Sequence, residues 1–465
     1  LGRIFVVLFG DDPNTAAKAV NVMSALASGF SIIDGTGYAL FVRYNQDGTY
    51  DPTFGVEGIV KTSIPPVFSS IYASAIDDLQ RINFIGKFYD GVADQGVVGR
   101  LKTNGEFDTE FGEEGLLLVK YMGTNIVFNS MVIQPDQKIV FSGNYVLDGE
   151  SVCVFFRINE DGTLDETFGI SGFTIVNIPN LNIKNIDLQP DGKILATGTI
   201  FNLSNHDIAV VRLNTDGTLD NTYGIDGIVE FDFGSTDDEG VKIIALEDTS
   251  AVLFSNVHLD PYFGQLTQLD KFGNLVITFG DGGSASVHEL DINDAVKDDL
   301  GNYFLVGQIG GLFDGFYSII KITSSGELAT DFSTDGISYP DYGDANTANS
   351  IILQDDGKII VVGTLGLFYP DCLISRYNST NKTNITNTFA FEDIYLHPNP
   401  VISTVQFYAV TPIQSIRIIN VLGAQITTPK WVVNDNNYTI TIPEDLSNGN
   451  YYLLLNNNIA VPFIK

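Results

Sequence analysis

Short apolar runs alternate with polar punctuation along most of the chain, and the runs have the length of strands. One stretch reads Gly115-Leu-Leu-Leu-Val119, Ile126-Val-Phe128, Ser130-Met-Val-Ile133, then, after the turn Gln134-Pro-Asp136, Lys138-Ile-Val-Phe-Ser-Gly143 and Ser151-Val-Cys-Val-Phe-Phe156. Runs of this kind, bounded by turn residues, predict β-strands. No window sustains a 3.6-residue period, so the expected class is all-β.

The pattern repeats. The phrase Asp161-Gly162-Thr163-Leu164-Asp165, continuing through Phe168-Gly169 to Gly172, has relatives at Asp47–Gly58, Asn104–Gly115, Asp216–Gly227, Phe272–Gly283 and Ser325–Gly336. The closing glycines Gly2, Gly58, Gly115, Gly172, Gly227, Gly283 and Gly336 are 56, 57, 57, 55, 56 and 53 residues apart. An aromatic stands four residues before each from the second on: Phe54, Phe111, Phe168, Tyr223, Phe279 and Phe332, with Phe389 ending the array. A fixed long period signals a repeat architecture. Four short strands per unit describe the blades of a β-propeller, about seven of them here. A solenoid, the structural rival, uses shorter repeats and distinct caps.

Gly48, Gly105, Gly162, Gly217, Gly273 and Gly326 share one repeat position, which becomes Asn381 in the last copy. Gly and Asn are the residues that accept a left-handed backbone cheaply, so this position is expected to have a positive φ. The chain opens in mid-repeat, so the final segment is expected to complete the first blade. The stretch Ile4-Phe-Val-Val-Leu-Phe9 aligns with Leu116–Tyr121 and is read as a strand rather than a signal-peptide core. A chain that begins with Leu1 is expected to have lost an N-terminal piece, such as a targeting signal.

With 24 basic and 57 acidic residues the chain carries a net charge of −33. That disfavours nucleic acid and anionic membrane surfaces as partners. No apolar run is long enough to span a bilayer. The two cysteines, Cys153 and Cys372, fall in non-neighbouring units and are read as buried apolar side chains rather than a disulfide.

Near Phe389 the period ends. Residues 391–465 show Tyr395-Leu-His-Pro-Asn-Pro400, Val405-Gln-Phe-Tyr408, Ile416-Arg-Ile-Ile-Asn-Val-Leu-Gly423, Tyr438-Thr-Ile-Thr-Ile442 and a run from Leu446 to Leu454. Alternating strands with turn breakers predict a small Ig-like antiparallel sandwich, separate from a propeller over residues 1–390.

Two resemblances follow from these motifs. Pro398-Asn399-Pro400, the strand Ile416–Val421 with Gly423, the Asp445–Tyr451 stretch with Gly449 and Tyr451, and the basic terminus Lys465 resemble the C-terminal sorting domain of the type IX secretion system of Bacteroidetes. That resemblance implies export through the periplasm, partnership with the type IX machinery, and release outside the cell or anchoring on its surface. The Asp-Gly-Thr-Leu-Asp-x-x-Phe-Gly phrase, with Gln189-Pro-Asp-Gly-Lys-Ile194 and its copies Gln134–Ile139 and Gln354–Ile359, resembles the delta-60 repeat family of bacterial β-propellers. The family is a domain of unknown function, so it implies a fold and no activity.

Candidate chemistry is sparse. Carboxylates at i and i+4 recur as Asp47/Asp51, Asp161/Asp165 and Asp216/Asp220. One reading is a ring of calcium sites with oxygen ligands. Against it, the fifth and sixth units have Phe272/Val276 and Ser325/Ala329 at these positions yet keep the glycine, so turn capping is the favoured reading and no cofactor is expected. His206, His258, His288 and His397 show no metal-ligand spacing, and no nucleophile elbow occurs. The acidic clusters Asp237-Asp238-Glu239 and Asp291, Asp294, Asp298 and Asp299 are read as solvated loops, with axial carboxylates of a hydrolase as the rival. The only tryptophan, Trp431, lies in the terminal module.

The resulting expectation is a secreted or cell-surface monomer whose propeller is a non-catalytic binding or adhesion module for an extracellular glycan or protein. Its rivals are a secreted glycan hydrolase or lyase and a structural spacer.

Overall fold

The structure is a computed structural model. It describes residues 5–8, 25–33, 36–45, 49–62, 68–89, 94–121, 124–147, 149–202, 205–234, 237–259, 261–310, 316–333, 335–340, 346–354, 357–365, 371–379 and 387–389 of one compact unit, and 404–408, 413, 415–420, 425–434, 437–443, 446, 450–455 and 459–464 of a second. The units are Leu1–Phe389 and Ala390–Lys465.

The first unit is a β-propeller built of four-stranded antiparallel meanders, in which strands adjacent in sequence are adjacent in the sheet. Among the described residues seven such sheets follow one another. The third consists of Val127–Ile133, Ile139–Leu147, Glu150–Ile158 and Phe173–Val176. The fourth consists of Leu181–Leu188, Ile194–Asn202, Asn205–Leu213 and Ile228–Phe231. The first strands of the other five are Phe5–Leu8, Phe68–Ile76, Asp238–Ala245, Leu290–Lys297 and Asn346–Leu353. Each lies against the first strand of the next sheet, and Phe5–Leu8 also lies against Asn346–Leu353. First strands therefore line the axis and fourth strands the rim.

The chain start differs from the sequence expectation. Alignment with Leu116–Tyr121 places Ile4–Phe9 on a rim, but Phe5–Leu8 pairs with Ala25–Ile33 as the axial strand of the first sheet. The last strand, Asn387–Phe389, pairs with Asp371–Asn378 of its own repeat instead of completing the first sheet. An open inner edge on Ala25–Ile33 would leave a row of backbone donors and acceptors unpaired, and the nearest segment fills it.

The core lies between faces of successive sheets. Val140, Phe155 and Phe168 of the third sheet's repeat meet Leu181, Ile183 and Ala196 of the fourth, all fully buried. The once-per-repeat aromatics Phe54, Phe111, Phe168, Tyr223, Phe279 and Phe332 are all buried, each removing a large apolar side chain from water at a gain of about 1.5–3 kcal/mol for a Phe. Cys153 is buried and free, and burial pushes its thiol up. The side chain of Cys372 lies outside the described residues.

The shared glycine does two jobs. Gly217 has φ +86°, as expected, and a Cβ added there would lie 2.8 Å from the Phe168 ring and 2.9 Å from Gly169 N. Its turn packs directly on the preceding sheet, where Gly169 N donates to Asp216 O at 2.7 Å. The same bond recurs as Gly55 N to Asn104 O, Gly112 N to Asp161 O, Gly224 N to Phe272 O and Gly280 N to Ser325 O. The repeated phrase is thus a docking surface between sheets as well as a turn.

The second unit contains a three-stranded sheet, ordered Thr404–Tyr408, Asn437–Thr441, Lys430–Asn434, and a four-stranded sheet, ordered Gln425–Thr427, Ile416–Asn420, Asn450–Leu455, Ile459–Ile464. Ile418, Ile440 and Leu453 are fully buried. The Tyr438 hydroxyl accepts from Ile413 N at 2.8 Å. Of the sorting-signal residues, Pro398, Asn399, Pro400, Gly423, Gly449 and Lys465 lie outside the described residues, and Tyr451 is placed on the strand Asn450–Leu455.

Candidate functional site

The repeated carboxylates are engaged by protein donors. Asp165 is 4% exposed. Its Oδ2 accepts from Arg157 Nε at 2.7 Å and Lys138 Nζ at 2.9 Å, and its Oδ1 from Thr167 N at 3.1 Å and Thr167 Oγ1 at 2.6 Å. The Arg157 guanidinium lies 4.7 Å from the Phe168 ring centroid, and its Nη1 donates to Thr215 O of the next repeat at 2.7 Å. The set recurs as Arg43/Asp51/Phe54, Arg100/Asp108/Phe111 and Arg212/Asp220/Tyr223, with every Nε–Oδ2 distance 2.7 Å. Each arginine therefore ties its own turn to the following sheet, as a latch.

Burial alone would raise the carboxyl pKa values of Asp165 and Asp220. The hydrogen bonds from Thr167 and Lys138, and from Lys193 and Thr222, outweigh it and hold both well below the usual carboxylate range. Asp51 is lowered in the same way, against burial, by Thr53 and Arg43. Asp161 and Asp216 are solvent-facing caps. Their Oδ1 atoms accept from Thr163 N and Oγ1 at 2.9 and 2.6 Å, and from Thr218 N and Oγ1 at 3.0 and 2.7 Å. Asp47 lies outside the described residues.

At the axis, each of six first strands carries a β-bulge at the same level. The register slips at Tyr72, Asn129, Lys184, Val241, Asn293 and Asn349. All six residues line one axial cavity of about 280 Å³. Bulges re-aim side chains and are over-represented beside functional sites. After three of these bulges the next residue links neighbouring sheets. Ser130 Oγ accepts from Ile186 N, Asn185 Oδ1 from Ile243 N and Asp294 Oδ2 from Ile351 N, at 3.2, 3.1 and 3.2 Å.

Two ion pairs cross the cavity wall: Lys184 Nζ to Glu239 Oε1 at 2.7 Å and Lys242 Nζ to Asp294 Oδ1 at 3.0 Å. Burial works to lower the Lys242 pKa, but Asp294 and Asp187 raise it further, so the ammonium is held charged. Burial raises the Asp187 carboxyl, against donors from Ala245 N and Leu188 N. Glu239 and Asp294 are thus not on solvated loops, as the sequence reading had them. The segments Asp238–Ala245 and Leu290–Lys297 are axial strands, whose alternation turns these carboxylates inward. Asp298 does cap a turn, accepting from Leu300 N and Asn302 N.

At the opposite end of these strands from the latch, His206 Nδ1 contacts Asp237 Oδ1. His258 places Nδ1 2.7 Å from Asp237 O and Nε2 3.2 Å from Asp291 Oδ1. The bond to Asp291 does most to raise the His258 pKa, to about 9, against partial burial. A raised pKa stabilises the fold fully below the unfolded value of about 6.5 and loses that contribution as pH rises through the folded value. Urea melts at pH 6 are therefore expected to separate wild type from His258→Gln, and melts at pH 10 to bring them together. A constant difference across that range would refute the assignment. Beside this network the carboxylate oxygens of Asp207, Asp232 and Asp238 lie within 4.8 Å of one another, a grouping that sequence spacing does not reveal. Asp238 Oδ2 also accepts from Phe233 N at 2.9 Å.

Comparison with known proteins bears on both units. Residues 26–54, 134–168 and 189–223 match the family model described as domain of unknown function (DUF5122) beta-propeller. Residues 395–463 match that of the secretion system C-terminal sorting domain. The chain carries DUF5122 propeller repeats and a C-terminal sorting domain. The sorting domain implies handling by the type IX secretion system and secretion. No helix among the described residues is long and apolar enough to cross a membrane. No curated protein matches.

Solved structures similar to the chain include polysaccharide lyase Uly1 (11% identity, 93% of each chain covered, TM-score 0.42). They also include a protein of unknown function from Dyadobacter fermentans (11% identity, 81% of this chain and 93% of that one, TM-score 0.40). A third is Drosophila Semaphorin 2a (8% identity, 93% and 94%, TM-score 0.39). Scores this low carry none of their activities to this chain.

Proposed function

We propose that the chain is a secreted or cell-surface, seven-bladed propeller that acts as a non-catalytic binding module, exported through an Ig-like sorting domain over residues 391–465. The ligand reading is a glycan or protein met outside the cell. The observation that carries the non-catalytic part is the state of the axial carboxylates. Glycoside cleavage by two carboxyl groups needs one protonated as acid and one free as nucleophile or base. Glu239 and Asp294 instead face Lys184 and Lys242, and Asp294 also accepts from Ser350 Oγ at 2.8 Å and Ile351 N. Such pairing occupies both carboxylates with donors of the protein itself and restrains them. The latch and cap carboxylates Asp51, Asp161, Asp165, Asp216 and Asp220 are assigned to structure rather than calcium, because their oxygens already accept from protein donors.

A thermal-shift screen of the full chain with calcium, with EDTA, and against polysaccharides and glycoproteins tests this reading. A ligand that binds only the folded state raises the midpoint by mass action. The expected result is a rise with at least one glycan or glycoprotein, no cleavage products from it, and no change with EDTA. Release of reducing ends or unsaturated sugars would establish the enzyme reading instead. A fall with EDTA would return calcium to the molecule, with Asp207, Asp232 and Asp238 the first residues to substitute.

A further inference from the structure

The latch is dismantled in the sixth unit, and the space it leaves stays open. Lys321, Ala329 and Asn302 stand where the third unit has Arg157, Asp165 and Lys138. The backbone there is unchanged: Ala329 N donates to Lys321 O at 2.9 Å, as Asp165 N does to Arg157 O at 2.9 Å. The carboxylate is missing, and the two cationic positions carry a shorter cation and an amide. These three side chains line a cleft of about 840 Å³, together with Gln354 from the turn that follows Asn346–Leu353.

Two buried polar groups face this cleft. Lys321 is 4% exposed, and its Nζ reaches Asp331 Oδ2 at 3.1 Å and Ser379 O at 3.4 Å. Asp331 is a mostly solvent-exposed substitute for the absent carboxylate, two residues further along the chain. Gln354 is 3% exposed, and its Oε1 has no hydrogen-bond partner among the described residues. A buried acceptor left without a donor is costly, so such groups in native structures usually meet something. Glu327 and Asp331 add negative charge at the cleft.

We propose that this cleft binds a ligand carrying a carboxylate beside a cationic group. The carboxylate takes the place that Asp165 and Asp220 fill in the third and fourth units and pairs with Lys321. The cation meets Asp331 and Glu327 and can donate to Gln354 Oε1. Free arginine and the C-terminal arginine of a peptide share this chemistry. The site is independent of the axial cavity.

Calorimetric titration of the full chain with arginine, with N-acetyl-alanyl-arginine and with the amide of that dipeptide tests the proposal. The expected result is binding of at least one acid, with the amide weaker by about tenfold or more, as loss of a charged hydrogen-bonded pair requires. Arginine alone would identify a free amino acid as the source, and the dipeptide a chain end. Ala329→Asp restores the latch carboxylate, so this variant is expected to melt no lower than wild type and to lose the acid by a similar factor. No binding of either acid at millimolar concentration, equal binding of acid and amide, or undiminished binding to Ala329→Asp would overturn the proposal.

Discussion

Asp220→Ala is expected to lower the unfolding free energy by about 3–5 kcal/mol, the cost of removing one partner from a buried ion pair. The variant leaves Arg212, 3% exposed, beneath the Tyr223 ring, and strands Lys193, which both use Asp220 Oδ2 at 2.7 and 2.8 Å. The chain supplies its own control. The fifth unit places Gln268 and Val276 at the Arg212 and Asp220 positions and still forms its sheet. The double variant Arg212→Gln/Asp220→Val is therefore expected to cost less than Asp220→Ala, because the buried Arg212 guanidinium is no longer left without its carboxylate and only the more exposed Lys193 loses its partner. Urea unfolding of the two variants measures the difference, and a double variant worse than the single would contradict it. The pH dependence has a definite sign. The Asp220 carboxyl is depressed in the folded state, so its contribution is complete above the ordinary carboxyl pKa of about 3.9 and declines as pH falls below that. The wild type and Asp220→Ala curves should converge only in strong acid.

Gly217→Ala is expected to destabilise by about 2–4 kcal/mol, combining the strain of a non-glycine residue at positive φ with overpacking. The added methyl meets the Phe168 ring and Gly169 N, so the turn must lift off and lengthen the bond from Gly169 N to Asp216 O. Gly234 separates the two contributions. It has φ +77° with nothing within 4 Å of an added Cβ, so Gly234→Ala should show only the backbone strain, about 1–2 kcal/mol. Equal losses at both sites would mean that contact with the neighbouring sheet does not matter.

These effects also show which parts of the molecule were readable from the residues. The period, the strands and the left-handed glycine were visible because each repeats in sequence and has a local cause. The latch was also written there, as an arginine eight residues before the second aspartate in four units, but that spacing crosses from a strand into a turn and makes no helical or strand period. A reading that began each unit at its turn cut the arginine off from its partner. The inward carboxylates were hidden for a different reason. Asp237-Asp238-Glu239 has the composition of a solvated loop, and only the pairing of Glu239 with Asn256 shows that it belongs to a strand. The bulges left no trace, because one extra residue merely shifts a two-residue alternation that fully buried sheets already blur. Both the axial cavity and the cleft depend on residues far apart in sequence, brought together only when the sheets stack.

The six bulge residues stand outside the ladder. Tyr72, Asn129, Lys184, Val241, Asn293 and Asn349 have no facing residue in their own sheets, and between them they are aromatic, amide, cationic and aliphatic. A position without a facing residue can change its chemistry while the strands around it keep their register. The axial wall can therefore diversify faster than the scaffold that carries it. Two propellers with the same repeat phrase can hold different side chains around their axes, and similarity of the repeats is then a poor guide to a shared ligand.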